Sequence, residues 1–130
     1  MILYVTLGAS NFDRSIRFYD AVMATLGVNR APDWTAEFMG WGSSYDDGIG
    51  LWISRPFDGK PPLPGNGPMV AFAAKDDAQV RAFHATALAH GGTDDGAPGL
   101  RSHYSPSFYA AYVRDPDGNK LAAVFHRFGK

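Results

Sequence analysis

The chain has 130 residues, with 12 Lys plus Arg against 13 Asp plus Glu, a formal net charge of −1 and no cysteine. That length suits one domain with a sizeable core, and the balanced charge offers no field to collect nucleic acid or an anionic membrane. Without cysteine there is no disulfide framework, thiolate nucleophile or thiolate metal site.

The opening residues, MILYVTLGAS, lack the basic segment and long apolar run of a signal peptide, and no stretch reaches membrane-spanning length. A cytoplasmic location and a small neutral or mixed-charge ligand are therefore expected. Ile2 to Leu7 is a β-branched and aromatic run suited to a strand, broken by Gly8-Ala9-Ser10-Asn11. Ser10 or Asn11 can cap the helix that follows, with Asp13 in its first turn. Ile16, Tyr19, Val22, Met23 and Leu26 then recur at helical spacing up to the stop at Gly27.

From Val28 to Pro56 the helical period is lost. Glycine-punctuated aromatic segments predict three short strands, near Ala36 to Trp41, Ser43 to Tyr45 and Gly48 to Ser54, with a tight turn at Asp46-Asp47-Gly48. Arg55 to Pro68 holds five prolines and three glycines and reads as a surface loop. The opening arrangement then returns: Pro68 to Phe72 is a strand, Asp76 or Asp77 can cap, and Val80, Phe83, Ala87 and Leu88 mark a helix ending at Gly91-Gly92. With an offset of 69 − 4 = 65 residues, Met69 to Gly92 overlays Tyr4 to Gly27. Thr93 to Ser105 reads as loop.

The last element is the most strongly specified. In Asp115-Pro116-Asp117-Gly118-Asn119, proline presets one turn dihedral and glycine supplies positive φ, so a hairpin is expected with Asp115 opposite Asn119. That register sets Tyr112 against Ala122, Ala110 against Val124 and Phe108 against His126. Both faces are mostly apolar, so both should be covered. Two copies of a βαβββ unit is the economical reading, with module 1 at about 1–56, a linker at about 57–67 and module 2 at about 68–130.

Three stretches, VTLGASNFDRSIRFYDAVMATLG, VAFAAKDDAQVRAFHATALAHGG and YAAYVRDPDGNKLAAVFH, resemble the vicinal oxygen chelate superfamily. That superfamily includes glyoxalase I, extradiol dioxygenases, fosfomycin-resistance enzymes and bleomycin-resistance proteins. The resemblance implies an α+β fold in which two tandem βαβββ modules form an incomplete barrel around a cavity. It also implies a homodimer, since family members often dimerise. It leaves function open, because lyases, dioxygenases and non-catalytic binders share the scaffold. In metal-dependent members, ligands sit on the first and last strands of each module. Carried onto this sequence, those positions are Tyr4, Trp52, Met69 and Ala122, where the family usually has His, Glu or Gln, His, and Glu. Trp52, Met69 and Ala122 cannot hold a catalytic divalent ion, Tyr4 would be an unusual ligand, and the chain has a single glutamate, Glu37. No cofactor is therefore expected, a divalent metal being compatible only with a non-standard site.

The chemistry-bearing residues that remain are few. His84 and His90, six apart on the second helix, are read as solvent-facing. His103, beside Arg101 and Tyr104, is either a loop residue or a ligand contact on a cavity rim, and His126 shares a face with Ala122. Tyr4, Trp52 and Tyr112 should share a face with Met69 and Ala122, with Ala110 and Ala122 leaving space beside them. Arg55, Arg101 and Arg114 are read as surface charges that could meet an anionic substrate. The candidate ligand-binding set is thus Tyr4, Trp52, Met69, His103, Tyr104, Tyr112, Ala122 and His126, with catalytic residues unassigned. The expected partner is a small organic molecule, with no nucleic acid and no membrane. The first reading is a sequestering or sensing module of the bleomycin-resistance type. The alternative is a lactoylglutathione-lyase-like or dioxygenase-like enzyme with a non-standard metal site, for which His103, His126 and Tyr4 are the candidates, or a metal-free acid and base.

Overall fold

A computed structural model describes residues 2–31, 37–42 and 49–126. Strand β1 (Val5–Gly8) leads into helix α1 (Phe12–Thr25), followed by β2 (Phe38–Gly42) and β3 (Ile49–Ser54). The second half repeats the order with β4 (Val70–Ala73), α2 (Asp77–Ala89), β5 (Thr93–Leu100), β6 (Tyr109–Arg114) and β7 (Lys120–Phe125). Both strands and helices recur at the expected offset: 70 − 5 and 77 − 12 each give 65. The sheets run β1-β3-β2 and β4-β7-β6-β5, each mixed and neither closed into a barrel. This is an α+β arrangement of tandem modules.

Capping chemistry fixes where each helix begins. Asn11 accepts from the Arg14 amide at 3.0 Å and Asp76 from the Gln79 amide at 2.8 Å, each satisfying an otherwise orphaned donor. The buried stripe of α1 is Phe12, Ser15, Phe18, Tyr19, Val22 and Met23, and that of α2 is Val80, Phe83 and Ala87. Both stripes pack on the inward-facing strand residues Met39, Trp41, Leu51, Ile53, Ala111, Val113, Leu121 and Ala123 to form one core across both modules.

Parallel pairing sets Val5 against Leu51 and Thr6 against Trp52 in the first sheet, and Val70 against Leu121 and Ala71 against Ala122 in the second. Trp52 and Ala122 are therefore equivalent, as the overlay requires. The terminal hairpin has the expected register, with Tyr112 opposite Ala122 and Ala110 opposite Val124. Its loop closes through Asp115 N–H to the Asn119 carbonyl and Gly118 N–H to the Asp115 carbonyl, both at 2.9 Å, with Gly118 at φ 88°.

Three expectations change. The first strand begins at Val5 rather than Ile2, and Ile2, Leu3 and Tyr4 are exposed. Thr93–Leu100 is a strand, not a loop, recruited by pairing with β6 despite its Asp, Gly and Pro content. His84 is largely covered, its side chain 12% exposed and its Nε2 2.8 Å from Asp94. The expected strand at Ser43 to Tyr45 and the turn at Asp46-Asp47-Gly48 lie outside the described residues. Among the described residues, no helix is long and apolar enough to cross a membrane.

The hairpin turn also joins the modules. Buried Tyr19 of α1 donates to Asp115 Oδ2 at 2.5 Å, while Asn119 Nδ2 donates to the same oxygen at 2.9 Å and to the Gly8 carbonyl at 3.1 Å. Asp115 Oδ1 accepts from the amides of Asp117 and Asn119, both at 2.9 Å. Asp117 in turn accepts from the Ser10 amide at 3.0 Å and from the Ser15 hydroxyl at 3.3 Å, near the positive end of α1.

Burial, reinforced by the neighbouring Asp115, holds the Tyr19 phenol well above its usual value of 10.0. Its favourable contribution is complete below pH 10.0, where the unfolded chain also keeps the proton, and is lost as pH rises towards the folded value. We expect Tyr19→Phe to cost about 1–3 kcal/mol at neutral pH, because a buried carboxyl loses a donor. The same variant should lose stability less steeply above about pH 10 than the wild type. Urea denaturation across a pH series checks both.

Candidate functional site on the open face of the second sheet

Alternation along β6 and β7 sends Tyr109, Ala111, Val113, Leu121, Ala123 and Phe125 towards the helices, leaving Ala110, Tyr112, Ala122 and Val124 on the other face. A pocket of about 460 Å³ opens on that face, with Tyr112 in its lining. Asp95, Gly96 and Lys120 form one side of it, Met69 stands at the start of β4, and the β5–β6 connector supplies Arg101, His103, Tyr104 and Phe108. Ala110 and Ala122, expected to leave space, are fully buried and do not line it.

The connector is an ordered turn. Arg101 N–H donates to the Phe108 carbonyl at 2.7 Å, and Tyr104 N–H donates to the Arg101 carbonyl at 2.9 Å. His126 anchors it from the end of β7, with Nε2 2.9 Å from the Ser105 hydroxyl and its ring 5.4 Å from Phe108. Phe108 meets Tyr104 edge-on at 5.1 Å, and Tyr104 lies 4.2 Å from His103, so the rings form a continuous wall.

Two cations flank the Tyr112 ring: Arg101 Cζ and Lys120 Nζ each stand 5.4 Å from its centroid. The backbone of β5 is shaped around Arg101. Gly96 faces Tyr112 and Gly99 faces Ala110, so Ala97 and Pro98 together oppose Ala111 in a bulge. The bulge leaves the carbonyls of Ala97 and Gly99 to accept from Arg101 at 2.7 and 2.9 Å. A β-carbon at Gly96 would stand 2.7 Å from Tyr112 Cδ2, so only glycine lets ring and guanidinium lie this close to the strand. Asp95 pairs with Arg114 at 3.0 Å and with Lys120 at 3.5 Å. Burial, then the nearby Tyr104, raises the Tyr112 phenol above its usual value, with Arg101 opposing, so at neutral pH it is a protonated donor.

Of the eight residues singled out from sequence, Met69, His103, Tyr104 and Tyr112 meet in this pocket. Ala122 lies beneath Tyr112 in the ladder, and His126 braces the connector rather than lining the cavity. Tyr4 and Trp52 belong to the first half of the chain, Trp52 in the first sheet, and neither is in the lining. Arg101, read from sequence as a surface charge that could meet an anionic substrate, also lines the pocket, and Asp95, Gly96, Phe108 and Lys120 were missed. The place of Arg101 beside His103 and Tyr104 was the signal that could have raised it into the candidate set, whereas Lys120 is one step from a turn and carries no pattern of its own.

The four positions that correspond to the metal ligands of related enzymes hold a phenol, an indole, a thioether and a methyl group. Indole is a donor only and alanine has nothing to offer, so these side chains do not fit a divalent ion. Among the described residues, no group of three His, Asp or Glu could hold one.

Fold and site together define a two-module protein with an open, sheet-floored pocket. A family model described as Glyoxalase/Bleomycin resistance protein/Dioxygenase superfamily matches residues 1–123, and the chain belongs to that superfamily. Among solved structures, it resembles a glyoxalase/bleomycin resistance protein from Albidiferax ferrireducens at 36% identity and TM-score 0.82, over 95% of this chain and 97% of that one. A lactoylglutathione lyase from Agrobacterium tumefaciens shares the fold at 19% identity and TM-score 0.64, over 100% and 97% of the two chains. A glyoxalase/bleomycin resistance protein/dioxygenase family enzyme from Burkholderia phytofirmans does so at 17% and 0.71, over 95% and 97%. No curated protein sequence matches the chain.

Because Gly96 is at φ 155° with Tyr112 against it, Gly96→Ala should destabilise the protein by about 1–3 kcal/mol and displace the ring. Urea denaturation gives the first quantity. The shift of the Tyr112 ring resonances gives the second.

Proposed function

We propose that this chain binds a small organic molecule in the pocket over Tyr112, and does so without the metal ion of its enzymatic relatives. The reading rests on one observation: an aromatic wall, a phenol donor and two cationic side chains converge on a cavity of about 460 Å³. Small-molecule sites commonly enclose about 300–1,000 Å³ and combine apolar surface with a few placed polar groups. The metal-free half of the proposal rests on donor chemistry at Tyr4, Trp52, Met69 and Ala122. A sequestering or sensing role of the bleomycin-resistance type follows more directly than lyase chemistry, since the likeness to the lactoylglutathione lyase is one of fold.

We further propose that the chain works as a homodimer. Support comes from apolar surface left open at the strand starts, where Tyr4 is 53% and Met69 45% exposed, and from exposed Ala71 and Ala73. Light scattering should return twice the mass of one chain, and a monomer at high concentration would refute this.

Protein purified without added ions should carry far less than one equivalent of transition metal. It should also fail to turn over methylglyoxal with glutathione when Zn²⁺, Ni²⁺ or Fe²⁺ is supplied. A stoichiometric bound metal, or turnover that depends on one, would overturn the metal-free reading.

A further inference from the structure

We infer that the ligand is an aryl carboxylate, its anionic group paired with the Arg101 guanidinium in the field of Lys120 and its ring system laid against Tyr104 and Phe108. The inference rests on the proposal that this pocket binds a small molecule, and adds the chemical class.

Charge is the first argument. The pocket lining holds two cations, Arg101 and Lys120, and one carboxylate, Asp95, which is already paired with Lys120 and with Arg114 outside the lining. Two positive charges against one negative leave a local excess of one in the lining, within a chain whose formal net charge is −1. Among the described residues, Arg101 has no carboxylate partner. Its guanidinium is nevertheless fixed, because the Ala97 and Gly99 carbonyls take two of its N–H donors. A guanidinium has five such donors, so about three remain for a ligand. An arginine held in place by backbone and left without a counter-charge is prepared for an incoming anion, and its planar fork matches a carboxylate.

Shape is the second argument. The anion-binding edge adjoins a wall of rings, with Tyr104 edge-on to Phe108 at 5.1 Å and 64% exposed. A large aromatic side chain left this open at a pocket rim offers a stacking surface, and Met69, 45% exposed in the same lining, adds a deformable apolar contact. Flat apolar surface beside a fixed cation calls for a ligand with the same two parts in the same order.

The test uses the full chain and three probes of matched size: naphthoate, its neutral amide, and the saturated decahydronaphthoate. Binding is followed by calorimetry and located through the Tyr112 and Phe108 ring resonances. Naphthoate should bind about tenfold tighter than the amide, as expected for a hydrogen bond to a charged group. It should also bind several-fold tighter than the saturated acid. Arg101→Gln should remove the preference for acid over amide, the acid losing several-fold more affinity than the amide. Lys120→Gln, which spares the β5 carbonyl contacts, should reduce that preference on its own and serves if the first variant does not fold. Equal binding of acid and amide, or a preference that survives both substitutions, overturns the carboxylate assignment but leaves a small-molecule pocket standing. Equal binding of the aromatic and saturated acids overturns the aryl assignment in the same way. If none of the three probes shifts the pocket resonances, the pocket reading falls together with the ligand class.

Discussion

The buried carboxyl of Asp115 is the point on which the rest of the molecule hangs. It lies in the hairpin turn of module 2, yet one of its partners, Tyr19, belongs to the helix of module 1. A carboxyl buried this deeply is costly unless all its lone pairs are used, and here both oxygens are occupied by donors from the turn and from α1. The turn therefore reaches its satisfied state only when docked on the first module. Neither half-chain offers a sheet and helix large enough to be independently secure at about 65 residues, so this contact makes one core out of two marginal ones.

That docking decides where a ligand can go. With both helices packed on the same side of the strands, the opposite strand faces are left without cover from their own helices. Sequence alternation alone suggested that both faces of the terminal hairpin would be filled, since both are apolar. The structure resolves this differently at different depths. Ala110 and Ala122 are fully buried by their surroundings, whereas Tyr112 projects beyond them and takes Arg101 of the β5–β6 connector and Lys120 of β7 to its sides. The pocket is thus offset from the centre of the hairpin, towards β5 and its connector.

How much of this was legible in the sequence depended on which force set each element. The hairpin and both helix starts were readable, because proline, glycine, asparagine and aspartate act locally and their partners lie within a few residues. The 65-residue overlay was readable for the same reason: equivalent modules repeat their local signals. Strand β5 was not, since Thr-Asp-Asp-Gly-Ala-Pro-Gly-Leu has little strand propensity and is extended only because β6 offers a ladder to it. Arg101 was seen but undervalued, because its meaning comes from a bulge that only strand pairing creates. His84 was misread for the related reason that Asp94, ten residues away, turns back to meet it. Long-range pairing is the common cause of every miss.

The same constraint bears on chemistry. In a metal-dependent relative, carboxylates and imidazoles at strand ends supply negative or neutral donors to a divalent cation. Here, the strand position that would carry glutamate carries Ala122, and the pocket two residues away along the ladder is flanked by Lys120 and Arg101. A divalent ion placed beside Tyr112 would meet the Arg101 guanidinium, which has no carboxylate partner among the described residues, and the Lys120 ammonium, and like charges within about 4–6 Å are unfavourable where water is partly excluded. The donor-poor side chains at Trp52, Met69 and Ala122 and the cations beside Tyr112 are independent features, one of side-chain chemistry and one of local field, and each alone would discourage a metal. Both agree with the proposed ligand, an anion in place of a cation.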